Sequence, residues 1–122
     1  MIQHELLRER GILIIRPVSA LQAEDFTALA AAVDPYIEQQ GQLKGVMIEA
    51  PAFPGWENFA GLLSHLRFVR DHHRLIQRIA VVTDSALLAA APKIASHFVS
   101  AQVRTFAANA RAAAQAWIET GS

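Results

Sequence analysis

The amino-acid sequence predicts an α/β domain: a mostly parallel central sheet of about five strands, opened by an antiparallel hairpin and accompanied by four main helices. Three observations carry this. Arg78-Ile79-Ala80-Val81-Val82-Thr83-Asp84 is a β-rich apolar run with polar residues at both ends, the pattern of an interior strand covered on both faces. Other short apolar runs alternate with segments of helical periodicity, which is how a parallel sheet is wound. The 122 residues suit one domain and can bury a core without disulfides or metals.

The chain opens with Ile2 to Leu7 and Ile12 to Arg16, separated by Arg8-Glu9-Arg10-Gly11. A charged link ending in Gly, which tolerates positive φ, predicts a hairpin turn. Ile12-Leu13-Ile14-Ile15 is apolar at every position and belongs inside the sheet, while the more mixed first strand belongs at its edge. Ser19 followed by Gln22 fits a capping box for the first helix. Phe26, Leu29, Ala30, Val33 and Ile37 form its buried stripe, Pro35 predicts a kink, and Gly41 closes it.

Leu43 to Glu49 is the next strand, centred on Val46, Met47 and Ile48. It runs into Ala50-Pro51-Ala52-Phe53-Pro54-Gly55-Trp56, a loop with two prolines and two large aromatics. Loops after the strands form the ligand-facing rim of an open α/β sheet. Phe53 and Trp56 are therefore either local core over the sheet edge or an apolar contact for a ligand, membrane or partner. The second helix places Phe59, Leu62, Leu63, Leu66 and Val69 on one predicted buried stripe. Phe68 lies off it, with Gly61, Ser64, His65 and His72, on a face that a second subunit or a mobile segment would cover.

After the Arg78 to Thr83 strand, Asp84 or Ser85 caps a third helix through Leu87, Leu88, Ala91, Ile94 and Phe98, interrupted or bent at Pro92. Val103 to Phe106 is the last strand. An alanine-rich helix packs Ala110, Ala113, Ala114, Trp117 and Ile118 inward and stops near Gly121.

Charge and composition narrow the function classes. Eleven basic and eleven acidic residues cancel, so no whole-protein field draws in nucleic acid. The absence of cysteine removes thiolate catalysis and zinc-thiolate sites. The 52% apolar content includes 23 alanines, and no stretch approaches the roughly 18 apolar residues of a membrane span. With no signal-peptide pattern at the N-terminus, the expected location is cytoplasmic, with peripheral membrane association open.

No catalytic constellation is complete. Gly-x-Ser-x-Gly and glycine-rich phosphate loops are missing, so no enzyme activity and no cofactor is expected. His65 and His72 are seven residues apart, about 10 Å along a helix at 1.5 Å per residue, too far to share one metal ion. His72, His73 and Arg74 read as a solvated helix end facing the C-terminal dipole. Arg67, Arg70 and Arg74 follow helical spacing and form a basic ridge, an ordinary solvated surface or a contact for anionic lipid or an acidic partner.

Five strings in order carry a family resemblance: Glu24-Asp25-Phe26, Gly55-Trp56, Arg78-Ile79-Ala80-Val81-Val82-x-Asp84, Val103-Arg104-x-Phe106 and Ala116-Trp117. Together they resemble the SpoIIAA-like branch of the STAS superfamily, which is itself similar to the CRAL-TRIO lipid-binding domain. The resemblance implies one STAS-like α/β domain over the whole chain. It also implies, for members that antagonise anti-sigma factors, a phosphorylatable serine at the start of the helix after the middle strand. Glu49 to Asn58 contains no serine or threonine, so that switch is absent; Ser85 follows a different strand and reads as a helix cap.

The resulting expectation is a non-enzymatic binding module for an apolar or amphipathic, lipid-like ligand, with reversible membrane association. Its contacts would be Phe53, Pro54, Trp56, Phe59 and Phe68, beside the basic ridge. The alternative is a protein-interaction regulator, homodimeric or bound to a regulatory partner, that lacks the phosphoserine switch.

Overall fold

A computed structural model describes residues 1–122. Five strands form one sheet in sequential order: β1 (Ile2–Leu7), β2 (Ile12–Pro17), β3 (Leu43–Glu49), β4 (Ile76–Val82) and β5 (Gln102–Phe106). β1 pairs antiparallel with β2 through the register Leu7 to Ile12, and the remaining pairs are parallel. The hairpin turns at Gly11, whose φ of +69° needs a residue without a Cβ. β4 is thus an interior strand, and β1 and β5 are the edges.

The helices are α1 (Ala23–Gln40), α2 (Phe59–His72), the short α3 (Ala86–Ala89) and α4 (Ala91–Ala95), and α5 (Arg111–Thr120). Strands β2 to β5 advance in one direction across the sheet, so right-handed crossovers put α1, α2 and the α3–α4 segment on the same face. α5 covers the other. Two cores result. Leu13, Phe26, Leu29, Val33, Leu43 and Val46 belong to the α1 side, and Ile12, Ile14, Met47, Ala80, Trp117 and Ile118 to the α5 side. Along β2, and along β3 from Gly45 onward, successive residues go to opposite cores, as a period of two requires.

Several local expectations need correction. The N-cap of α1 is Gln22, in a capping box with Asp25, whose carboxylate accepts from the Gln22 backbone at 2.8 Å. Ser19 instead accepts from the N-terminal ammonium at 2.8 Å. α1 contains Pro35 and runs on to Gln40, where Gly41 closes it as expected. The third helix is interrupted at Pro92 as expected, into α3 and α4, but Leu87, Ile94 and Phe98, expected inside, are exposed. Ala113 also faces solvent, leaving Ala114, Trp117 and Ile118 as the buried line of α5.

The largest correction concerns α2. Phe59 is 73% and Leu66 56% exposed, while Gly61 and His72 are its fully buried residues. The face carrying Gly61, His65, Phe68 and His72 points inward, onto α1. It is covered by the chain's own first helix, not by a second subunit. Close approach depends on Gly61, because a Cβ there would sit 2.4 Å from the Leu21 carbonyl oxygen. His65 stacks on Phe26 with ring centres 4.9 Å apart, and Phe68 stacks on His72 at 4.1 Å. Imidazole stacking thus does the packing that aliphatic residues do elsewhere.

Candidate functional site

α2 leans on α1 through these rings and stands away from the strands beneath it. The space left is a cavity of about 290 Å³ lined by 21 residues, 16 of them hydrophobic. Its floor is the α1-side surface of the sheet, with Ile15 of β2, Val46 and Ile48 of β3, and Ile76, Ile79 and Val81 of β4. Phe26 and Leu29 of α1 and His65, Phe68, Val69 and His72 of α2 make the walls, and Leu88 and Ala91 close one side from α3 and α4. Phe53 and Pro54 belong to the rim at the C-terminal ends of the strands, the position where open α/β sheets present ligand sites.

The rim loop is held in place. The backbone of Leu21 donates to the Gly55 carbonyl at 2.8 Å, and Glu57 donates to the Leu21 carbonyl at 2.9 Å. Gly55 has φ +77°, so the turn that makes both bonds possible favours glycine. Trp56 lies edge-on to Phe53, with ring centres 4.8 Å apart. Its indole N–H donates to His65 Nδ1 at 3.1 Å, tying the loop to α2.

Three histidines supply the only ionisable groups of the lining, and each has a defined partner. His72, 6% exposed, has Nδ1 2.7 Å from the Phe68 carbonyl and Nε2 2.7 Å from Asp34 Oδ1. Both partners are hydrogen-bond acceptors, one on α2 itself and one on α1. This residue bridges α1 and α2 and is not the solvated helix end expected from sequence. His73 Nδ1 accepts from the Ser100 backbone N–H at 3.0 Å. His65 accepts from Trp56, and burial pushes its pKa below the usual histidine value. No arginine or lysine lines the cavity.

The residues expected from sequence divide accordingly. Phe53, Pro54 and Phe68 line the cavity, and Trp56 supports it from the rim, 39% exposed. Phe59 points to solvent on the opposite face of α2. Arg67, Arg70 and Arg74 are all exposed, and Arg70 donates to Asp71 at 2.9 Å, which raises the arginine pKa and lowers that of the aspartate. Arg67 and Arg70 therefore lie on a different face of α2 from Phe68, and Arg74 falls beyond α2, in the 3-10 turn His73–Leu75. Ser85 caps α3, accepting from the Leu88 backbone at 3.4 Å. The histidines at the cavity wall were missed as site residues, although His65, Phe68 and His72 share helical spacing with Gly61.

The model of the family described as SpoIIAA-like matches residues 12–119. The chain belongs to the SpoIIAA-like family. A crystal structure of an uncharacterized protein of the DUF3478 family from Shewanella loihica PV-4, described as having a SpoIIAA-like fold, is similar at 17% identity with a TM-score of 0.71. The likeness covers 97% of this chain and 92% of that one. No curated protein sequence matches the chain. The SpoIIAA-like fold suggests a binding or regulatory module. No helix here is long and apolar enough to cross a membrane.

Proposed function

We propose that this SpoIIAA-like protein is a non-enzymatic binding module that encloses the apolar part of a lipid-like small molecule between α2 and the sheet. The observation that carries the reading is the cavity: about 290 Å³, with 16 of 21 lining residues hydrophobic. That is near the roughly 300 Å³ lower end of small-molecule sites, and such sites combine apolar walls with few polar groups. An apolar void of this size leaves its lining without contacts that a ligand would restore. Reversible membrane association fits the exposed Leu87, Ile94 and Phe98 beside the cavity-lining Leu88 and Ala91, with the exposed arginines of α2 offering contacts to anionic headgroups.

The test is native mass spectrometry and solvent extraction of freshly purified protein, with sedimentation against vesicles containing anionic lipid at low salt. A co-purifying lipophile is the expected result. Protein that carries none, takes up none and ignores the vesicles refutes the reading.

A second reading, a protein-interaction regulator, is favoured by one specific feature: Phe59 and Leu66 are exposed seven residues apart on the same side of α2. Dimerisation abolished by Phe59→Ser with Leu66→Ser supports it; a strict monomer that captures no partner counts against it.

A further inference from the structure

The cavity wall contains a polar device whose chemistry selects among lipophilic ligands. The His65 ring is fixed twice, by stacking on Phe26 at 4.9 Å with planes 12° apart and by the Trp56 indole N–H on Nδ1 at 3.1 Å. An Nδ1 that accepts leaves the proton of the neutral ring on Nε2. No protein group takes a hydrogen bond from Nε2. His65 therefore adds a preorganised N–H donor without a protein partner to the lining of a mostly apolar cavity; His73 Nε2 is left without one in the same way, but only His65 is also held by ring stacking.

The same lining disfavours an anionic ligand. A carboxylate buried without a cation costs far more than a neutral carbonyl does. The cavity has no arginine or lysine, and both nitrogens of His72 are committed to Phe68 and Asp34. His73 Nδ1 is committed to the Ser100 backbone. Protonating His65 to recruit an anion would abolish its acceptor role toward Trp56.

We propose that the cavity selects a neutral lipophile bearing a hydrogen-bond acceptor, of the ketone, ester or ether class, over a fatty-acid anion, and that His65 Nε2–H is the donor that positions it. This rests on the ligand-binding reading above. The cavity volume of about 290 Å³ corresponds to about ten water-sized groups at roughly 30 Å³ each, so a ten-carbon chain is the probe length chosen.

Calorimetric titrations at pH 8 with 2-decanone, decanoate and naphthalene test the proposal. The expected order is 2-decanone at least tenfold tighter than decanoate. His65→Phe, which keeps a stacking ring, weakens 2-decanone about fivefold, as loss of one neutral hydrogen bond implies, and leaves naphthalene unchanged. His65→Gln retains an N–H donor and an acceptor for Trp56, and keeps 2-decanone affinity within about twofold. It also serves if the phenylalanine variant does not fold. Decanoate binding as tightly as 2-decanone overturns the charge selection. An unchanged 2-decanone affinity in His65→Phe, or a loss in folded His65→Gln equal to that in His65→Phe, overturns the role of His65. If none of the three molecules binds, the ligand-binding reading fails as well, which separates the two failures.

Discussion

Replacing Phe68 tests the orientation of α2 and the existence of the wall it forms. A fully buried Phe→Ala substitution costs about 3–5 kcal/mol. Phe68 is half-buried and one side of it already faces the cavity, so fewer packed neighbours are lost than in a filled core. It still stacks on His72 at 4.1 Å and meets Phe26 at 6.0 Å, ring centre to ring centre. We expect Phe68→Ala to cost about 2 kcal/mol, a fall of roughly 8 °C in Tm for a domain of this size. Phe59→Ala on the solvent side of the same helix, at 73% exposure, is expected to change stability by no more than about 0.5 kcal/mol. Urea denaturation of both variants, followed by circular dichroism, measures the difference. A large loss for Phe59→Ala with a neutral Phe68→Ala would show that α2 faces the other way and that this cavity wall is misassigned.

Two further outcomes follow from the same contacts. Gly61→Ala would ordinarily stabilise a helix by up to about 1 kcal/mol, but the 2.4 Å approach to the Leu21 carbonyl forces backbone apart. Net destabilisation of about 1–2 kcal/mol is expected in thermal or urea unfolding, and a stabilised variant refutes the close packing. Because burial lowers the His65 pKa in the folded state, the unfolded chain protonates first as pH drops below about 6.5. Above that pH both states are neutral and His65 contributes nothing to the pH dependence. Below it, wild-type protein loses stability relative to His65→Phe until the folded imidazole also takes its proton. Parallel stability curves for the two proteins from pH 8 to pH 5 contradict this.

The sheet was legible in the sequence because its strands are short apolar runs with turn residues at their ends, and five ordered strings resembled the family now matched over residues 12–119. Phe53, Pro54 and Phe68 were also singled out, and all three line the cavity. The facing of α2 was not legible. That helix carries apolar residues on two sides, and Phe59, Leu62, Leu63, Leu66 and Val69 make the more hydrophobic arc. Packing turned Gly61, His65, Phe68 and His72 inward, with Val69 at the cavity wall and Phe59 and Leu66 left outside, because Gly61 permits close approach and His65 and His72 have hydrogen-bond partners within the chain. Periodicity alone scores those histidines as polar. The break between α3 and α4 was legible from Pro92, but the exposure of Leu87, Ile94 and Phe98 was not: alanine-rich sequence has high helix propensity but little side-chain surface to show which side packs.

The central claim is that the cavity under α2 holds a lipophile, and the two tryptophans report on it from opposite faces of the sheet. Trp56 touches Phe53 at the rim, whereas Trp117 packs on Phe106 in the α5-side core. The most direct measurement is titration with a bromoalkyl ketone of about ten carbons while following tryptophan fluorescence, in wild-type protein and in Trp56→Phe. Saturable quenching in the wild type that disappears in Trp56→Phe is the predicted result. No saturable quenching, or quenching that persists on Trp117 alone, contradicts it.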